Sequence, residues 1–151
     1  MPYGGNDWLA LTQEPTLEPE LPICDPHHHF WDRRLQSLPY QRYLLDELNA
    51  DISSGHNVRS TVFLEARSMY RPDGPVEMRP VGEVEFVQGL AAASASGIYG
   101  PSRAAAAIIG HADLKRGVQV APVLEALQAA SPNRHPFQGP IRKLLILKTL
   151  F

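Results

Sequence analysis

An α/β fold built on a parallel sheet is predicted by three features of the sequence. Short β-branched or apolar runs alternate with longer segments whose apolar residues recur at helical spacing, in the order βαβαβα. Strands and helices that alternate at this spacing imply parallel pairing with right-handed crossovers. The third feature is the stretch Cys24-Asp25-Pro26-His27-His28-His29-Phe30-Trp31-Asp32. It follows the first apolar run directly and so stands at the C-terminal end of a strand, where α/β sheets and barrels keep their chemistry.

Residues 1–20 carry Gly4, Gly5, Pro15 and Pro19 without a helical or strand period, and are expected to be a disordered leader. Leu21-Pro22-Ile23-Cys24 suits a short buried strand. In extended chain successive side chains alternate, so His27 and His29 project together and His28 faces away. Two imidazoles on one face make half a metal site. Phe30 and Trp31 set the run apart from a tag, and a pair of hydrogen-bonded structural histidines is the plain alternative. A Pro-containing loop over residues 35–40 leads into Leu44, Leu45, Leu48 and Ile52, one face of a helix that ends at Gly55.

Ser60-Thr61-Val62-Phe63-Leu64 is β-branched and aromatic and reads as the second strand. Residues 67–80, with Pro72, Gly74, Pro75 and three arginines, make a longer connection than usual, of the kind that often carries function. Residues 82–96 place Val84, Val87 and Ala91 at helical spacing before Gly97. A small-residue apolar run over 104–110 fits a third strand, and Val120, Val123, Leu124 and Leu127 a third helix that stops before Ser131-Pro132. Residues 139–151 would supply a fourth strand.

At 151 residues the chain is long enough for one domain with a substantial core. A net charge of −2 without blocks of like charge points away from nucleic acid and from a polybasic membrane surface, and toward a small-molecule partner. A single cysteine excludes an internal disulfide framework, and residues 1–20 lack the basic start and apolar core of a secretory signal. A cytoplasmic protein is the expectation. No Gly-x-Gly-x-x-Gly follows the first strand and no Walker lysine is present, so nucleotide-binding sheets lose their best support. The histidine pair favours a barrel.

The same residues carry a resemblance. Asp25-Pro26-His27-His28-His29-Phe30-Trp31-Asp32, Tyr43-Leu44-Leu45-Asp46-Glu47-Leu48, Val62-Phe63-Leu64-Glu65, Tyr70-Arg71-Pro72-Asp73-Gly74-Pro75, Val81-Gly82-Glu83-Val84-Glu85-Phe86 and Gly110-His111-Ala112-Asp113-Leu114 occur in that order. From Ile23 to Ser131 the chain resembles the amino-terminal part of the amidohydrolase-related family often called amidohydrolase 2, metal-dependent TIM-barrel hydrolases such as lactonases. The resemblance implies an α/β fold over residues 21–151 that is a partial (β/α)8 TIM barrel, its first three to four βα units. It implies His27 and His29 as ligands of a divalent metal, usually zinc, and hydrolysis of a lactone or amide of a small organic acid. Related barrels decarboxylate instead, and a non-catalytic fragment is a further reading.

The departures from the pattern are as informative. The further metal-site histidines and the aspartate that serves as general base would lie beyond residue 151, and Phe137-Gln138-Gly139-Pro140-Ile141-Arg142 replaces an expected Arg-Gly-Ile-Arg-His type of sequence. A truncated or frame-shifted product, inactive by itself, is the expectation. Its open sheet edges would self-associate and leave Val62, Leu64 and Ile109 candidates for exposure.

On the active face, Glu65 would end the second strand and either contact substrate or satisfy backbone donors. His111 would end the third and touch substrate. Arg67 and Arg71 could hold a substrate carboxylate or stand as ordinary solvated arginines. Asp113 suits a helix cap or a turn.

Overall fold

In the second strand of the sheet, β-branched residues and a phenylalanine at alternate positions need neighbours on both sides. The computed structural model, which describes residues 10–12, 14–33 and 40–132, supplies them. β1 (Pro22–His28) and β5 (Arg103–Ile109) flank β4 (Asn57–Leu64), all parallel, in the order β1-β4-β5. Between β1 and β4 lie a two-residue antiparallel ladder, β2 (Trp31–Asp32) with β3 (Arg42–Tyr43), and helix α1 (Leu45–Ile52). Helix α2 (Val81–Ala95) connects β4 to β5, and α3 (Ala121–Ala130) follows β5. Among the described residues this is a mixed α/β fold with a three-stranded parallel sheet and three helices. Among the described residues, no helix is long and apolar enough to cross a membrane.

Sequence and structure agree on the three helices within a residue or two, and on which strands are parallel. They differ at the first strand. Extended pairing does not stop at Cys24 but runs through Asp25-Pro26-His27 to His28. The β2–β3 ladder has no sequence signal beyond Trp31 and Tyr43, whose rings stack with centroids 5.1 Å apart. Residues 67–80 contain a 3₁₀ turn, Val76–Met78, and another 3₁₀ segment, Leu114–Val120, precedes α3. The expectations for residues 1–9, for the loop around 35–39 and for a fourth strand over 139–151 lie outside the described residues.

The core forms where the helices meet the sheet. Phe30, Leu48, Phe63, Val84, Val87, Val123 and Leu127 are essentially inaccessible, and α2 packs against both β5 and α3. The alternate positions Val62, Leu64, Ala107 and Ile109 are half-buried, and Cys24 and Ala106 exposed. Helices therefore cover one side of the sheet more fully than the other.

Both strand pairs carry irregularities. Ser60 pairs with Arg103 but Val62 with Ala107, so β5 accommodates two extra residues there, and Ala105 takes a left-handed φ of 49°. Its buried N–H donates instead to the Thr61 hydroxyl at 2.9 Å. At the start of β5 the Ala104 N–H donates to the Ser94 hydroxyl of α2 at 3.0 Å. Side chains thus accept where the ladder cannot, because a buried N–H without a partner costs about 1–3 kcal/mol.

Replacing Thr61 by Val conserves shape and removes the acceptor. We expect Thr61→Val to lose about 1–3 kcal/mol in urea unfolding, and Thr61→Ser to lose less because it keeps the hydroxyl. Equal losses would mean that the methyl group matters and the Ala105 hydrogen bond does not.

Candidate functional site

Parallel strands leave their C-terminal ends on one rim, and the histidine run ends β1 there. Asp25 pairs with Thr61 and His28 with Phe63, three steps on β1 against two on β4. One extra residue is therefore accommodated around Pro26, which has no N–H to contribute to a ladder. Asp25 Oδ1 accepts the His27 backbone N–H at 3.0 Å and holds the chain through the bulge. The bulge resets the alternation, so that His28 turns into the core beside Phe63 while His27 and His29 emerge together.

The two emergent rings meet edge to face with Nε2 to Nε2 at 3.1 Å. His29 Nδ1 lies 2.8 Å from the Leu64 carbonyl oxygen of the next strand. A carbonyl can only accept, so His29 carries its proton on Nδ1 and, when neutral, presents a lone pair on Nε2. Between the two rings His27 Nε2–H is then the donor. A divalent cation taking both nitrogens would displace that proton. The residues fit such an ion: 3.1 Å is a spacing that two imidazoles bonded to one zinc at about 2.0–2.1 Å can span. The carbonyl behind His29 is the kind of partner that orients metal-bound imidazoles. No cluster of three or more metal-ligand side chains occurs among the described residues, so the pair has no third donor there.

His28 is in a different medium. Only 7% exposed, it lies edge-on to Phe30 and Phe63 at centroid distances of 4.6 and 5.9 Å, and both ring nitrogens are buried without an ordinary hydrogen bond. Burial disfavours the imidazolium and lowers the pKa to about 4, against the opposing pull of the Asp25 charge and a loose approach to the His29 backbone.

Beyond β4 the rim is held by a buried carboxylate. Glu83, fully buried in the first turn of α2, accepts the N–H groups of Ala66 at 3.0 Å and Ser68 at 2.7 Å on one oxygen. Arg67 and Met69 between and beside them have left-handed φ values of 57° and 55°, a conformation that L residues adopt at a cost. Gly82 completes the clamp: a Cβ there would stand 2.7 Å from the Met69 carbonyl oxygen and 2.9 Å from the Arg71 nitrogen. The loop so fixed turns the Tyr70 hydroxyl to Glu65, donating at 2.8 Å. Burial first, and then this carboxylate, raise the Tyr70 pKa, so the phenol keeps its proton. Arg67 Nε stands 3.9 Å from the same Glu65 oxygen.

The expected substrate residues separate accordingly. Glu65 is 11% exposed in its side chain and engaged by Tyr70 and Arg67. His111 lines a cavity of about 600 Å³ with Arg67 and Tyr70. Arg71 is not among the residues lining that cavity; its guanidinium is paired on the surface with Glu85. Asp113 accepts the Lys115 N–H at 3.0 Å and caps the 3₁₀ segment. His27, His28 and His29 border a second cavity of about 630 Å³ beside α1, with Tyr43 and Asp51. Glu83, Tyr70, Arg79 and Arg116 escaped sequence reasoning, for a glutamate at the third helical position or an arginine in a loop is ordinary until its burial is known.

Comparison of the chain with protein-family models, with curated proteins and with solved structures returned no match.

Two outcomes follow from these contacts. The unfolded His28 ring titrates near 6.5 and the folded one near 4, so the unfolded chain binds more protons between those values. Its contribution is fully present above about pH 6.5 and lost as pH falls toward 4, up to about 3 kcal/mol. Urea midpoints measured from pH 7 to 4 should fall less steeply in His28→Phe than in the wild type; parallel curves would remove His28 as the cause.

Glu83→Ala strands the Ala66 and Ser68 N–H groups and should cost about 3 kcal/mol or more, with Glu83→Gln, which still accepts, losing less. Hydrogen exchange at Ala66 and Ser68 should accelerate in Glu83→Ala ahead of the core strands. Uniform acceleration would place the damage elsewhere than the loop.

Proposed function

We propose that the chain forms the first three βα units of a (β/α)8 barrel, a cytoplasmic metal-dependent hydrolase of the amidohydrolase-related kind that acts on a lactone or amide of a small organic acid. The observation that carries this reading is the His27–His29 pair at a strand's C-terminal end, with His29 oriented by the Leu64 carbonyl. The strand order supports a barrel, because each successive parallel strand is added on the same side and the order never reverses as it does in doubly wound sheets.

In this reading His27 and His29 hold the metal through Nε2, and the Leu64 carbonyl keeps His29 in the tautomer that binding needs. A bound divalent ion such as zinc supplies Lewis acidity toward a substrate carbonyl and lowers the pKa of a coordinated water. Glu65, steadied by the Tyr70 hydroxyl, and His111 follow the ends of neighbouring strands, which supports a role for both in meeting substrate. His28 has no part in the chemistry; it anchors the motif from behind.

Calorimetric titration of the full chain with zinc tests the reading. Affinity should be weak, since catalytic zinc sites use three protein ligands, and His27→Ala or His29→Ala should each abolish it. His28→Phe, which preserves the packing, should bind as the wild type does. Loss of equal size in all three variants would indicate a non-specific histidine tract, and retention in His27→Ala would exclude the pair.

A further inference from the structure

The cavity lined by His111 contains a charge imbalance that the hydrolase reading does not use. Four cationic side chains, Arg67, Arg79, Lys115 and Arg116, line it against two carboxylates, Glu77 and Asp113. Arg116 gives one Nη to Glu77 at 2.8 Å. Its Nε, however, is buried without a hydrogen-bond partner among the described residues, and so are Arg79 Nε and His111 Nδ1. The Arg79 guanidinium has neither an ion pair nor a hydrogen bond among the described residues.

Arg79 is not free to find another place. Its own N–H donates to Val76, and its carbonyl accepts from Arg71 at 3.0 Å and Gly82 at 3.1 Å, which pins the residue between the 3₁₀ turn and α2. Guanidinium stays protonated in any protein, so burial cannot be relieved by loss of charge. A half-buried cation with an unsatisfied inner N–H is costly, and folds rarely keep one without a partner. Nε is closed off from solvent, so the face open to an anion is the pair of Nη groups, which no described residue takes up and which a carboxylate fits with two parallel hydrogen bonds. Arg79, Arg116 and His111 border one cavity of about 600 Å³, a size suited to a small organic molecule.

We propose that this cavity is a binding site for a small carboxylate anion, with Arg79 as its principal contact and Arg116 and His111 completing it. The site is independent of metal at the histidine pair, with which its lining shares no residue.

Malonate is the probe, titrated into the full chain by calorimetry at low ionic strength with a chelator present. Wild type should bind it, Arg79→Gln should weaken binding about tenfold or more, and Arg42→Gln, a surface arginine paired with Asp46 and Glu47, should leave it unchanged. A structural role for Arg79 predicts a different signature. In the absence of malonate, Arg79→Gln should unfold at the same or higher urea concentration, because an uncompensated charge has been removed. No malonate binding by the wild type, binding unaffected by Arg79→Gln, equal weakening by Arg42→Gln, or destabilisation of unliganded Arg79→Gln would each overturn the proposal.

Discussion

Parallel pairing of β1, β4 and β5 is the constraint on which everything else depends. Strands that run in the same direction deliver their C-terminal ends to the same rim, so residues far apart in sequence arrive there together: His29 beside Leu64, and Glu65 hydrogen-bonded through its N–H to Ile109. Parallel strands also require long crossovers, and here those crossovers are helices that bury one side of the sheet. The cost is that each strand must stop and turn at the rim while its last backbone groups are still beside the core. After β4 the chain accordingly takes left-handed backbone at Arg67 and Met69.

Side chains offset that cost at specific points. Left-handed residues at Arg67 and Met69 are held by a buried carboxylate from the start of α2, and the left-handed Ala105 by a threonine of the neighbouring strand. In both places a fixed acceptor stands where a regular ladder would have provided one. The Glu83 clamp has a further consequence, because the same loop brings Tyr70 to Glu65 and Arg67 to the edge of the cationic cavity. Packing of a helix terminus and the arrangement of the rim therefore depend on the same contacts. Helix α2 could not dock with a side chain at Gly82 without displacing the loop.

Much of the fold was legible in the sequence, for a physical reason: helical stripes such as Val84, Val87 and Ala91, and the β-branched run of β4, report burial through periodicity. Periodicity also placed His27 and His29 together. Its failures are equally physical. The bulge at Pro26 extends β1 past the point where an alternating apolar pattern ends, and pairing by a strand of exposed and polar residues leaves no such pattern to read. Glu83 and Arg79 were invisible because their significance lies in what surrounds them. Glu83 looks like any glutamate in a first helical turn, and Arg79 like any loop arginine, until the structure buries the one and leaves the other without an anionic partner among the described residues.

Three adjacent histidines with identical chemistry acquire three different properties by the same reasoning. His27 is exposed, with its backbone tied to Asp25; His28 is enclosed by two phenylalanine rings; His29 is half-buried with its proton fixed by a carbonyl. None of this follows from composition, since a flexible histidine tract has the same three residues. It follows from register: one extra residue in β4 after Val58 and one in β1 after Asp25 cancel, and His28 stands opposite Phe63. Shift the register by one position and the lone pairs of the outer rings would turn toward Phe30 and Phe63, where a cation could not be solvated, while His28 alone would face the rim. A two-donor site therefore exists only in the register that sets His28 against Phe63.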